Sequence, residues 1–220
     1  MLRKAVVPVL GLSMVLFVAA PIIIHRAPYE ATMGLVQKIF YFHVPAAILM
    51  LLLAITCGVL SAVFLFGKKQ AADWWALATA ELVVLFGSMA MVTGPLWGRK
   101  AWGVWWEWEP RLTSSLMLYM IFVAYLLLRR FGGPGAEKLA AGMALFGMAN
   151  VPFVYISVNV WRTLHPKTTV IPNLVPPMAW PLWLCFTAFL LLALALLAMR
   201  VQLEEQRARV ESLYLAAEED

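Results

Sequence analysis

Apolar positions in this chain do not alternate with polar ones at a strand period, nor do they form one face of short amphipathic helices. They run on in long blocks, at 5–24, 39–66, 75–96, 113–129, 138–160 and 179–199. Blocks of about 20 apolar residues match the ~30 Å hydrocarbon core of a bilayer crossed by a helix. The pattern predicts an all-α integral membrane protein with six transmembrane helices. Residues 1–200 form one membrane domain, and the tail 201–220 (VQLEEQRARVESLYLAAEED) extends it as a cytoplasmic helix. The second block has 28 residues, about 42 Å at 1.5 Å per residue. That exceeds the hydrocarbon thickness, so this helix is expected to tilt or to protrude.

Composition agrees. Of 220 residues, 63% are hydrophobic and 13% charged, with a mean hydropathy of +0.83. This leaves no material for a second, soluble domain, and no internal repeat or low-complexity linker is visible. The net charge of +5 is spread over the loops and sets topology; it does not form a nucleic-acid surface. With the N-terminus inside, the inner segments carry ten Lys or Arg residues and the outer ones seven. The short loops GKKQ and LRRFGGPGAEK carry most of the bias. The positive-inside rule then puts both termini in the cytoplasm. The first block is longer than the ~7–15-residue core of a signal peptide and lacks a clear small-residue cleavage site, so it is expected to be a retained span. Cys57 and Cys185 stand singly within apolar blocks, without CxxC or CxxCH, and are expected to pack in the core or against lipid.

On this topology three loops face outward: 25–38, 97–112 and 161–178. The second, WGRKAWGVWWEWEPRL, holds Trp97, Trp102, Trp105, Trp106 and Trp108 together with Arg99, Lys100, Glu107, Glu109 and Arg111. An interfacial aromatic belt accounts for one or two tryptophans, not for five within twelve residues. On one helical turn Trp102, Trp105 and Trp106 share a face at i, i+3 and i+4, with Glu109 near it. Pro110 would end or disturb that turn, and Gly98 and Gly103 allow close backbone approach. The expected product is a flat aromatic shelf on the bilayer surface, suited to a large planar apolar ligand. The three histidines, His25, His43 and His165, all fall at the same face. Two imidazoles on different elements can hold a heme iron axially, whereas zinc would need a third or fourth ligand. Arg99, Arg111 and Arg162 are near enough to meet carboxylates bidentately.

Three segments carry a family resemblance: PLWGRKAWGVWWEWEPRLTS, YFHVPAA and NVPFVYISVNVWRTLHP. With the six spans they cover most of residues 35–200. The chain resembles the heme exporter protein C (CcmC) family, tryptophan-rich "WWD" membrane proteins of cytochrome c maturation. The resemblance implies that His43 and His165 are the heme-iron ligands. Trp97, Trp102, Trp105, Trp106 and Trp108 fall at the signature's tryptophan positions, and Arg111, Leu112 and Thr113 continue it. Glu109 replaces the family's Asp, which keeps the charge and moves it by a methylene. His25 has no counterpart in the pattern.

The resemblance also implies a role: transient binding of heme b at the outer face of the bacterial inner membrane and its delivery to the heme chaperone CcmE. The implied partners are the ABC-type subunits CcmA and CcmB and the small membrane protein CcmD, within a lipid surround. The chain has no GxxxxGK[ST] loop, so any ATP hydrolysis belongs to a partner and the chain itself is expected not to be an enzyme. The main competing reading is a membrane heme lyase or cytochrome c synthetase, which would favour a longer chain with a further histidine pair. A fixed electron-transfer cytochrome would bury its histidines near mid-membrane. A transporter for an unrelated aromatic or sugar ligand would not depend on the two histidines. Among other polar residues within the spans, Glu81 is expected to reach headgroups or pair with Lys68 or Lys69. Asn150, Ser157 and Asn159 are expected to form interhelical hydrogen bonds.

Overall fold

The computed structural model describes residues 2–31 and 33–219, with side chains described over 5–31 and 33–218. Six helices make up nearly all of it: α1 (Leu2–Arg26), α2 (Phe40–Gly67), α3 (Gln70–Trp102), α4 (Pro110–Phe131), α5 (Ala136–Val160) and α6 (Pro176–Glu219). All six are long and apolar enough to cross a membrane. Among the described residues the only β pairing is an isolated bridge between Glu30 and Gly34. The chain is therefore an all-α, six-span membrane protein, as its apolar blocks predict.

The helices overrun those blocks where helix-favouring signals continue into the polar flanks. α2 stops at Gly67, and Lys68 adopts a left-handed conformation (φ 51°) that turns the chain straight into α3. α6 continues unbroken for 44 residues, because nothing between Arg200 and Glu219 is a helix breaker.

α2 sits at the centre of the bundle and packs on α3, α5 and α6; α1 lies against α6, and α4 against α5 and α3. The core joins Leu49 and Ala54 of α2, Phe86 of α3, Phe122 of α4, Ala144 of α5 and Phe189 of α6. Lipid tails are as apolar as these side chains, so helix association rests on close packing and internal hydrogen bonds. Gly58 illustrates the closeness: a Cβ there would stand 2.5 Å from the Met148 Cβ of α5. Cys57 and Cys185 are both buried in the core, and the Cys57 thiol donates to the Ala76 carbonyl at 3.3 Å.

Polar links fasten the bundle. At the end remote from the histidines, Arg129 of α4 grips Asp73 of α3 through two hydrogen bonds of 2.5 and 2.9 Å. The Asp73 side chain is 3% exposed. Glu81 does not pair with Lys68 or Lys69 as the sequence suggests. It is bound by Arg200 of α6, which also reaches Glu204 at 2.9 Å. The helical extension of α6 beyond the apolar block brings Arg200 there. Asn150 makes the expected interhelical bond, donating to the Ser114 carbonyl of α4 at 3.0 Å. Ser157, fully buried, instead donates within its own helix to the Val154 carbonyl at 2.9 Å. Asn159 bonds a loop residue, described below.

Candidate ligand-binding cavity

The tryptophan segment is not a single helical turn. α3 runs six residues past its apolar block and carries Trp97 and Trp102 on its last turns. Their rings meet edge to face, with centroids 5.0 Å apart. Gly98 makes room for this, since a Cβ there would lie 3.1 Å from the Trp102 ring. Gly103 then ends the helix in a left-handed conformation (φ 80°), which glycine adopts without steric cost. The Arg99 guanidinium donates to the freed Gly103 carbonyl. Residues 104–109 are irregular, so Trp105 and Trp106 do not share a helical face with Trp102. Pro110 does not end a turn either. It opens α4 at the first helical position, where its missing N–H has no cost.

The tryptophans consequently line the wall of a cavity and do not make a flat shelf. The cavity is about 710 Å³ and is lined from α2, α3, α4, α5, α6 and the loops at this end of the bundle. That volume lies within the ~300–1,000 Å³ typical of cofactor and small-molecule sites. Trp97, Trp102, Trp105 and Trp106 border it, as do His43, His165 and Arg111. Trp108 and Glu109 do not. Trp108 is 76% exposed and packs edge-on against Trp106, centroids 5.8 Å apart. On α2 the lining runs from Phe40 to Leu51, a span of about 16 Å at 1.5 Å per residue. The cavity therefore continues well below His43 into apolar surroundings.

His43 stands in the first turn of α2. Its Nδ1 is 2.9 Å from the Thr93 Oγ1 of α3. The Thr93 hydroxyl proton is directed to the Met89 carbonyl at 2.6 Å. Thr93 thus accepts from His43 Nδ1–H, and Nε2 keeps its lone pair. Gly94 flanks the ring, its would-be Cβ 3.2 Å from His43 Cε1. His165 lies in the loop before α6. Its Nδ1 is 2.9 Å from the Pro166 carbonyl, which can only accept, so here too Nδ1 carries the proton and Nε2 is the free donor atom. Burial, and then the positive charge of Arg111, push the His165 pKa down to about 4, against the opposing pull of the Pro166 carbonyl. The imidazole is neutral at pH 7. Its ring also faces Trp102, centroids 6.5 Å apart.

Three sets of hydrogen bonds hold the loop that carries His165. Glu109 Oε2 accepts from the Leu164 N–H at 2.6 Å. The His165 N–H donates to Thr163 Oγ1 at 3.1 Å. Asn159, which the sequence assigns to helix contacts, exchanges bonds of 3.0 and 3.2 Å with Thr168; it lies exposed, one residue from the end of α5. Arg111 lines the cavity while donating to the Val154 carbonyl at 2.6 Å. Arg99 and Arg162 are exposed and do not line it. His25 is also exposed, and its carbonyl accepts from Lys38 Nζ at 2.8 Å. Sequence reasoning missed Thr93, Gly94 and Lys167. Thr93 and Gly94 form a small-polar pair breaking an apolar run, which is a usable signal for a neighbour that needs space and an acceptor.

Among the described residues no group of three or more His, Cys, Asp or Glu side chains converges. Two imidazoles alone suit a metal that brings its own remaining ligands, not a tetrahedral zinc. Fold and cavity together define a multi-pass membrane protein with an aromatic ligand chamber bearing two histidines in the same tautomer. The family model for CcmC, heme exporter protein C, matches residues 1–215. The heme exporter protein C of Escherichia coli strain K12 is 33% identical over 201 residues, covering 86% of this chain and 80% of that protein. That of Bradyrhizobium diazoefficiens is 34% identical over 195 residues, covering 86% and 74%. A Marchantia polymorpha protein described as a putative cytochrome c biosynthesis ccmC-like mitochondrial protein is 32% identical over 169 residues, covering 76% and 72%. The chain belongs to the heme exporter protein C family.

Proposed function

We propose that this protein handles heme in cytochrome c maturation, holding it in the cavity between His43 and His165 and releasing it to the heme chaperone CcmE. One observation carries the reading. Two histidines from separate elements line one aromatic cavity, each with Nδ1–H engaged and Nε2 left as a donor atom. Axial bis-histidine ligation uses that atom, and the partner on Nδ1 fixes the ring for it. The apolar lining and its five tryptophans, Trp183 of α6 among them, suit the porphyrin plane. Arg111 and Lys167 offer positive charge to its carboxylates. The family relationship supports heme as the cargo.

The positive-inside count supports putting this end of the bundle at the outer face of the bacterial inner membrane. There a periplasmic chaperone meets it. The missing nucleotide-binding loop supports a non-enzymatic subunit working beside the ABC-type CcmA and CcmB and the small CcmD. The test is a visible absorption spectrum of the detergent-purified protein, oxidised and reduced, beside His43→Ala and His165→Ala. A Soret band in the wild type that is lost or shifted in both variants is the expected result. Failure of the wild type to bind added heme refutes the heme reading. Equal binding by all three proteins refutes histidine ligation.

A further inference from the structure

Glu109 stands at one of the signature positions, yet its carboxylate does not line the cavity. It crosses from the segment before α4 to the loop before α6, where Oε2 accepts from the Leu164 N–H at 2.6 Å. The next residue is His165. Glu109 is itself well anchored: it is the N-cap position of α4, and its carbonyl accepts from the Thr113 N–H at 2.9 Å. Its second oxygen, Oε1, is buried and has no hydrogen-bond partner among the described residues. A carboxylate with one oxygen buried and unbonded is a poor device for stability, because that oxygen has lost water and gained nothing. The bond that it does make is charge-assisted and short, and it lies one residue from a side chain that lines the cavity.

We infer that Glu109 is a positioning residue for His165. Its carboxylate latches the loop through Leu164 and so sets the imidazole that faces the cavity, without touching the cargo. This rests on the heme-binding reading above and gives that site an internal control. Glu109 fixes only one of the two ligands. His43 is set independently by Thr93 on the other side of the chamber.

The experiment compares Glu109→Met, which keeps the side chain's bulk and removes the acceptor, with Glu109→Gln, which keeps an acceptor oxygen. Two measurements are made on the full-length protein in detergent. The first is amide hydrogen exchange over residues 161–170 in the heme-free protein. Faster exchange in Glu109→Met, with near-wild-type exchange in Glu109→Gln, is expected. The second is titration with hemin, read by affinity and by the spin state in the visible spectrum. Glu109→Met should weaken binding about tenfold, as loss of a ligand-orienting partner typically does, and shift the spectrum toward that of His165→Ala. Glu109→Gln should stay within about threefold of wild type. In a His165→Ala background Glu109→Met should have no further effect, whereas in a His43→Ala background it should weaken binding again.

An equal loss in both histidine backgrounds would mean that Glu109 acts elsewhere, and would overturn the inference. Unchanged exchange in Glu109→Met would overturn it as well. Should wild type bind no hemin, the heme reading falls, while the exchange data still decide whether the latch exists. If Glu109→Met does not yield folded protein, Glu109→Ala carries the same comparison.

Discussion

Thr93 offers the sharpest test of how the cavity is built. Thr93→Val keeps the β-branched shape inside α3 and removes the hydroxyl oxygen that His43 Nδ1–H donates to, leaving the Ala90 backbone as its neighbouring partner. The Met89 carbonyl loses the threonine hydroxyl as a donor but stays within the helix. The main consequence is that a part-buried N–H loses its threonine acceptor, at a cost of up to about 1–3 kcal/mol. His43 can avoid it by turning its ring or changing tautomer, and either response takes Nε2 from its present direction. The cost then appears in ligand binding, as a rise in the Kd for heme of up to roughly fivefold to 150-fold. Equilibrium titration of the purified protein with hemin, followed at the Soret band, measures it. Thr93→Ser keeps the hydroxyl and should bind close to wild type. In a His43→Ala background Thr93→Val should change nothing further. Wild-type affinity in Thr93→Val, with His43→Ala impaired, would show that the Thr93 contact does not set the ligand and would refute the reasoning.

The remaining predictions concern neighbouring features. Gly94→Ala puts a methyl 3.2 Å from His43 Cε1, so the ring must shift and the Soret position of the heme complex should move without loss of folding. His165 has its pKa lowered to about 4 from the ordinary 6.5, so protons compete with iron for it only below about pH 4, and its share of heme binding should stay level from pH 8 to pH 5 in a spectral titration. The unfolded chain takes up that proton as pH falls through 6.5 while the folded chain does not, so the same shift makes thermal stability decline from pH 6.5 toward 4. Asp73→Ala leaves the half-buried Arg129 without its partner, a break that costs up to about 3–5 kcal/mol for a buried pair. It should lower the melting temperature far more than Glu81→Ala, whose pair with Arg200 is 32% and 22% exposed, and leave hemin affinity unchanged because it lies at the other end of the bundle.

The six helices were legible because membrane burial writes itself into the sequence as unbroken apolar length. The two histidines were legible by depth and loop assignment, and the structure brings them to one cavity. Three things were not. The tryptophan segment contains i, i+3, i+4 spacing, but spacing cannot reveal that Gly103 takes a positive φ and stops α3 at Trp102. Glu81 had nearby lysines as sequence neighbours, and its true partner Arg200 lies 119 residues away. Thr93 looked like an ordinary helix threonine, because its role depends on a ring that α2 supplies from 50 residues upstream. The last two are contacts between elements whose relative rotation the apolar pattern leaves open.

The two histidines are held in unlike ways, and the difference bears on transfer. His43 projects from a transmembrane helix at the centre of the bundle and is braced by a second helix through Thr93 and Gly94. Moving it would mean repacking the core of α2 against α3. His165 projects from a loop, and hydrogen bonds at Glu109, Thr163 and Asn159 hold it there. Two of these, the Glu109–Leu164 bond and the Asn159–Thr168 pair, are exposed to exchange with water, and loops open more readily than packed helices. Under the heme-transfer reading such asymmetry has a direct use. A carrier whose two ligands were both buried in helices would bind heme and keep it. One fixed ligand would retain the cargo in register while a ligand on a latched loop would give way to a receiving partner.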